Sequence, residues 1–124
     1  AKCAACAAVC AGGQPGLATL ILLDLLKEHH TFHYAGDFDP EGLLIAQNLK
    51  ERYGSKLTLW NYQVEWYEKY LSDTVLGDFR LKKLEKIYLE ELQEIKQCMQ
   101  KEKRAAYQER MLSIYRIEDK NRFS

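Results

Sequence analysis

A short apolar run, Thr31 to Ala35, leads into Gly36-Asp37-Phe38-Asp39-Pro40-Glu41-Gly42, and this junction constrains the fold more than any other stretch. Proline fixes φ near the helical value and lacks an N–H, so it suits the first helical position, and Asp just before it is a favoured N-cap. The junction therefore reads as a strand end followed at once by a helix. That places Asp37 and Asp39 at the C-terminal mouth of a strand, the edge where open α/β sheets bind ligands. Two carboxylates one residue apart suit a hard cation, Mg²⁺ or Mn²⁺, which takes oxygen ligands and keeps waters for a substrate phosphate. A turn and helix start without any metal uses the same residues. Both uses are compatible, with Asp39 as cap and Asp37 in the chemistry.

The neighbouring segments extend the pattern. Ala7 to Ala11 reads as a strand, and Gly12-Gly13-Gln14-Pro15-Gly16 breaks it. Leu17 to His29 is apolar nearly all round, which predicts a helix buried on most sides. A second helix runs from Glu41 to Tyr53, with Gly54 as its C-cap, and Leu57 to Trp60 is a third strand. Strand, helix, strand, helix, strand implies right-handed crossovers and a parallel sheet. The fold class expected is thus α/β, with a parallel core of three to four strands and flanking helices over residues 1–62. Residues 63–124 read as a helical extension packed on that core within the same domain. Its parts are a short aromatic helix from Val64 to Leu71 and a loop from Ser72 to Gly77. A long amphipathic helix from Asp78 follows, with Leu81, Leu84, Tyr88, Leu92, Ile95 and Met99 inward. Lys103 to Tyr115 reads as a last helix, and the tail from Asp119 as a polar, fraying end.

Composition narrows the function classes. Apolar residues make up 47% of the 124, enough for one packed domain rather than a disordered chain. The longest apolar run is interrupted by Asp24 and is too short to span a bilayer, and no secretory pattern opens the chain. A cytoplasmic setting without membrane contact is expected. The chain begins at Ala1 without Met and reads as a piece of a longer protein. Cys3, Cys6 and Cys10 have no fourth ligand at a usual spacing, so they read as small buried residues in a reducing compartment rather than a metal cluster. Net charge is zero overall. Residues 1–77 carry 6 Lys/Arg against 9 Asp/Glu, and residues 78–124 carry 12 against 9. Lys82, Lys83, Lys101, Lys103 and Arg104 are therefore candidate phosphate contacts, and a solvated helix face accounts for them as well.

The acidic junction resembles the Asp-x-Asp-Pro-x-Gly signature of TOPRIM domains, in the form found in the topoisomerase VI A-subunit type. A closer resemblance covers nearly the whole chain. It is to a bacterial TOPRIM-like C-terminal domain family of unknown activity, carried by Gly13-Gln14-Pro15 after a strand, the Leu-rich segment Leu20 to Leu26, Gly36-Asp37-Phe38-Asp39, and Trp60 with Tyr67. Ala105-Ala106-Tyr107-Gln108-Glu109 fits the family only in part. The resemblance implies a TOPRIM-like (Rossmann-like) sheet, Mg²⁺ held by Asp37 and Asp39, and phosphodiester chemistry on DNA. It further implies operation beside condensin-like SMC subunits, as in Wadjet-type plasmid-defence systems, and contact with the N-terminal part of the same protein. In the family a glutamate upstream of Gly13-Gln14-Pro15 completes the acidic set, and no acidic residue precedes Asp24 here. Alone, this stretch is expected to bind metal weakly and not to cleave.

Asp37 and Asp39 are thus the candidate catalytic and metal-holding residues, and Glu41 is a weaker third. Acids in a first helical turn are favoured by the helix dipole in any case. Gly36 and Gly42 permit close backbone approach. Gln14 is placed to orient water or phosphate, or to brace its loop. His33 reads as a packed histidine rather than a ligand. None of the eight tyrosines stands beside an evident base, so no tyrosine nucleophile is expected. Three functions compete: a Mg²⁺-dependent DNA-cleaving domain, a docking module that does no chemistry, and a phosphotransferase of the haloacid-dehalogenase type. The last is disfavoured because Glu41 stands where that class carries Thr or Val.

Overall fold

The structure is a computed structural model that describes the backbone of residues 3–9 and, in full, residues 16–108 and 111–117. Its elements are β1 (Cys3–Val9), α1 (Leu17–Leu26), β2 (His30–Ala35), α2 (Pro40–Tyr53), β3 (Leu57–Leu59), α3 (Val64–Lys69), β4 (Leu71–Val75), α4 (Asp78–Lys82), α5 (Gln93–Glu102), β5 (Arg104–Ala106) and β6 (Met111–Ile117). The class is mixed α/β, as expected. The sheet itself differs from the expected parallel one.

Four strands pair in the order β1-β6-β2-β3. β2 and β3 are parallel, whereas β6 runs antiparallel to both β1 and β2. β1, β2 and β3 therefore share one direction, and β6 lies between the first two. Residues 103–115 were expected to be a helix because Ala106, Arg110 and Ile114 fall at four-residue steps. The sequence Met-Leu-Ser-Ile-Tyr-Arg-Ile instead suits a half-buried pleated strand. Apolar segments this short satisfy either period, and pairing on both edges decides between them. The central sheet thus draws strands from both halves of the sequence.

Side-chain alternation fixes which sheet face is the core. Phe32 on β2 lies beside Leu57 and Ile114, and Tyr34 beside Leu59 and Leu112. All six are buried. They meet Leu43, Ala46, Leu49 and Tyr53 of α2, and Leu23 of α1, in one continuous cluster. On the opposite face the His33 ring lies 4.5 Å from the rings of both Trp60 and Tyr115. Burial lowers the His33 pKa, as fits a packed neutral imidazole.

α1 is a correction. It was expected to be buried on most sides, but only Leu23 is buried, while Leu17, Ile21, Leu22 and Leu25 are exposed. Asp24 and Arg52 tie it to the end of α2 with a 2.5 Å ion pair.

The long helix expected from Asp78 to Met99 is also interrupted. α4 is followed by 3-10 turns at Lys83–Lys86 and Glu90–Leu92 before α5 begins. The cause is Gln47, a buried residue of α2. Its Oε1 accepts from the backbone N–H groups of Tyr88 at 2.8 Å and Leu89 at 3.1 Å, and its Nε2 donates to the Lys86 carbonyl at 3.1 Å. Gln93 and Lys96 donate to the Ile87 carbonyl. Side chains thus replace the helical ladder where it breaks, and Ile87 and Leu92 are buried as a result. Gln47→Leu keeps the volume but orphans three backbone groups. Urea denaturation should show a loss of roughly 2–4 kcal/mol, and a change within about 0.5 kcal/mol would contradict this account of the break.

The stretch expected to be a loop, Ser72 to Gly77, partly forms β4, which pairs with β5 in a separate two-stranded sheet. No helix among the described residues is long and apolar enough to cross a membrane.

Candidate functional site

The acidic junction folds as its sequence dictates. Pro40 opens α2, Asp39 is its N-cap in extended conformation, and Asp39 Oδ1 accepts from the Gly42 N–H at 2.6 Å. Gly54 closes the helix with positive φ, its N–H donating to the Lys50 carbonyl. Extended backbone alternates its side chains, so Asp37 and Asp39 face one way and Phe38 the other. Phe38 is fully buried, edge-on to Tyr62 and Tyr67.

The loop is held from a distant part of the chain. Phe38 N–H donates to the Ala106 carbonyl at 2.8 Å, and Ala106 N–H donates back at 3.0 Å. Gln108 Nε2 donates to the Gly36 carbonyl at 2.8 Å. These bonds link β5 and the turn after it to the end of β2. The acids are therefore fixed by tertiary contacts as well as by their own helix.

Two glycines make room for this geometry. A Cβ on Gly42 would stand 2.3 Å from the Asp37 carbonyl oxygen and 2.9 Å from Asp39 Oδ1. On Gly36 it would stand 2.7 Å from the Tyr34 hydroxyl. Gly42 packs against the strand-end backbone, whereas Gly36 makes room for the Tyr34 side chain. Gly13, Gln14 and Pro15 lie outside the described residues.

Asp37 and Asp39 are both buried. Burial pushes the Asp39 carboxyl up from its ordinary pKa; the Gly42 N–H opposes this, Glu41 adds to it, Arg80 opposes it and Asp37 adds to it. A buried carboxylate facing two others is the setting that a cation would relieve. Around the rim, Arg80 Nε and Nη2 both donate to Glu41 Oε1, at 3.1 and 2.5 Å, and Nη2 lies 3.6 Å from Asp39 Oδ2. Lys83 Nζ is 3.4 Å from Glu41 Oε2. Burial alone would raise the Glu41 pKa, but Arg80 and Lys83 outweigh it and hold the carboxyl below its ordinary range.

Among the candidate basic residues, Lys83 alone forms an ion pair with the acids, through Glu41. Lys82, Lys101 and Lys103 are exposed, and Arg104 pairs with Asp73 and Glu102. Arg80, Gln108 and Tyr62 were not foreseen as site residues. Gln108 sits in the Ala105–Glu109 stretch that carries part of the resemblance. No sequence signal singled out Arg80, since only the fold brings it to Glu41. Burial pushes the Tyr62 hydroxyl well above the ordinary phenol range and that of Tyr67 to about 12. Both stay protonated at neutral pH, and neither is an activated nucleophile.

The donor set consists of hard oxygens. Among the described residues no three His, Cys, Asp or Glu side chains are grouped as a metal site. Asp37 and Asp39 fit a cation of the kind held by one or two carboxylates, with waters and substrate phosphate completing the shell. Cys98 is free and half-buried, and no partner ligand accompanies it among the described residues.

No curated protein and no solved structure matches the chain. One family model does match, "protein of unknown function C-terminus (DUF2399)", over residues 2–115. The chain belongs to the DUF2399 family of C-terminal domains.

Proposed function

We propose that this is a TOPRIM-like domain in which Asp37 and Asp39 hold Mg²⁺ or Mn²⁺ for cleavage of DNA phosphodiesters. The observation that carries the reading is the buried carboxylate pair on a hydrogen-bonded loop at the C-terminal end of β2, with the Asp39 pKa raised by burial. A divalent cation there would polarise the phosphodiester and stabilise the leaving oxygen. The protein supplies the rest. Asp39 is oriented by the Gly42 N–H, Asp37 is fixed between Gly36 and Phe38, and the walls of Phe38 and Tyr62 exclude water from beneath the loop. A further acid from another part of the full-length protein would complete the set. In this reading the protein works in the cytoplasm with condensin-like SMC subunits in plasmid defence.

The alternative is a docking module without chemistry, favoured by the Arg80 and Lys83 pairs that already neutralise Glu41. Calorimetric titration of the full-length protein with Mn²⁺ separates the two. The cleaving domain binds the ion and loses at least tenfold in affinity in Asp37→Asn and in Asp39→Asn, about 1.4 kcal/mol or more. A docking module gives no heat of binding, or the same heat in all three proteins.

A further inference from the structure

Arg80 has no role in the cation reading, yet its geometry is specific. α4 contributes no buried residue of its own and is strung between Leu76 and Leu84, which are buried at 2% and 0% exposure. That suspension carries Arg80 to the rim of the acidic loop. Two of its donors are on one oxygen of Glu41, which leaves the guanidinium fixed in direction and one-third exposed beside Asp39. A guanidinium has five N–H donors in a planar fork suited to phosphate, and Glu41 occupies only part of that capacity. Lys83 reaches Glu41 from the next turn.

Charge points the same way. Arg80 pairs with Asp39 and Glu41, Lys83 pairs with Glu41, and Asp37 lies near Asp39, so the five groups together stand one charge negative. A divalent cation at the two aspartates would leave it one charge positive, matched to an entering phosphodiester. Resting on the cation reading above, we infer that Arg80 is the phosphate-binding residue of the site, aimed by Glu41 and steadied by Lys83. Without a cation it leans on Asp39; with one bound it is released toward the substrate phosphate. The ligand class is a nucleic-acid backbone, bound through one non-bridging phosphate oxygen beside the cation.

The test pairs two readouts on the full-length protein. Fluorescence anisotropy with a labelled duplex oligonucleotide in Ca²⁺ measures DNA affinity, and Mn²⁺ titration measures the cation site. Arg80→Ala should weaken DNA binding about tenfold and reduce the salt slope by about one, while Mn²⁺ binds as well or better because Asp39 loses a competitor. Arg80→Lys should recover part of the DNA affinity, and Glu41→Gln should lose part of it by freeing the guanidinium. DNA binding by Arg80→Ala equal to wild type, with Mn²⁺ binding intact, would overturn this inference and leave the cation reading standing. Absence of Mn²⁺ binding in the wild type would overturn both.

Discussion

Gly42→Ala should damage fold and site together. The new methyl would stand 2.3 Å from the Asp37 carbonyl oxygen, a backbone atom that cannot swing aside as a side chain can. It would also press on Asp39 Oδ1, which accepts from the Gly42 N–H. Relief requires the loop to move off the helix, which breaks the cap and disturbs the Phe38–Ala106 pair. Overpacking of this kind costs roughly 2–3 kcal/mol, and loss of a cap adds about 1 kcal/mol. Calorimetry should show a melting temperature lowered by about 10 °C or more, with Mn²⁺ binding lost in the fraction that remains folded. A melting temperature unchanged within about 2 °C would mean that the junction is looser than its contacts imply. Gly54→Ala is the control. Its strain comes only from a backbone conformation that L residues rarely adopt, at an exposed helix end with open space around it, so it should cost about 1–3 kcal/mol and leave the site intact.

The second large effect concerns the acids themselves. Asp→Asn preserves shape and removes the charge that attracts a cation. In Asp37→Asn the loop keeps its anchors at Phe38 and Gly36, so the fold should stand while cleavage falls by at least 100-fold, about 2.7 kcal/mol of transition-state stabilisation. Asp39→Asn is more complex, since the side chain also caps α2. The amide oxygen can still accept from Gly42, and Asn is as good a cap as Asp. Stability should therefore change by less than about 1 kcal/mol while activity is lost. A drop in activity without a drop in stability separates a chemical role from a capping one.

Much of this site was legible because it is local. Asp39, Pro40 and Gly54 announce a helix start and stop through backbone chemistry that depends on few neighbours, and the helix observed ends at Tyr53 as expected and starts at Pro40, one residue before the expected Glu41. The tertiary supports are different. Gln108 holds Gly36 across 72 positions, and Arg80 holds Glu41 across 39. Neither spacing has a periodicity to read. The same reasoning explains the sheet. β6 lies mostly within the stretch expected to be helical, and its fit between β1 and β2 decides its state. The broken helix after α4 likewise depends on Gln47, a polar residue on a helix whose pattern promised only a packed face. Local signals fixed where the acids sit, and long-range hydrogen bonds fixed what surrounds them.

The central claim, that Asp37 and Asp39 serve a cation in DNA cleavage, is tested most directly on supercoiled plasmid. Full-length wild-type protein, Asp37→Asn and Asp39→Asn would each be incubated with plasmid and Mg²⁺ or Mn²⁺, with and without the SMC-type subunits proposed as its partners. The account predicts metal-dependent nicking or linearisation by the wild type and none by either variant. Cleavage by the variants equal to wild type, or no cleavage by the wild type even with those subunits present, would contradict it.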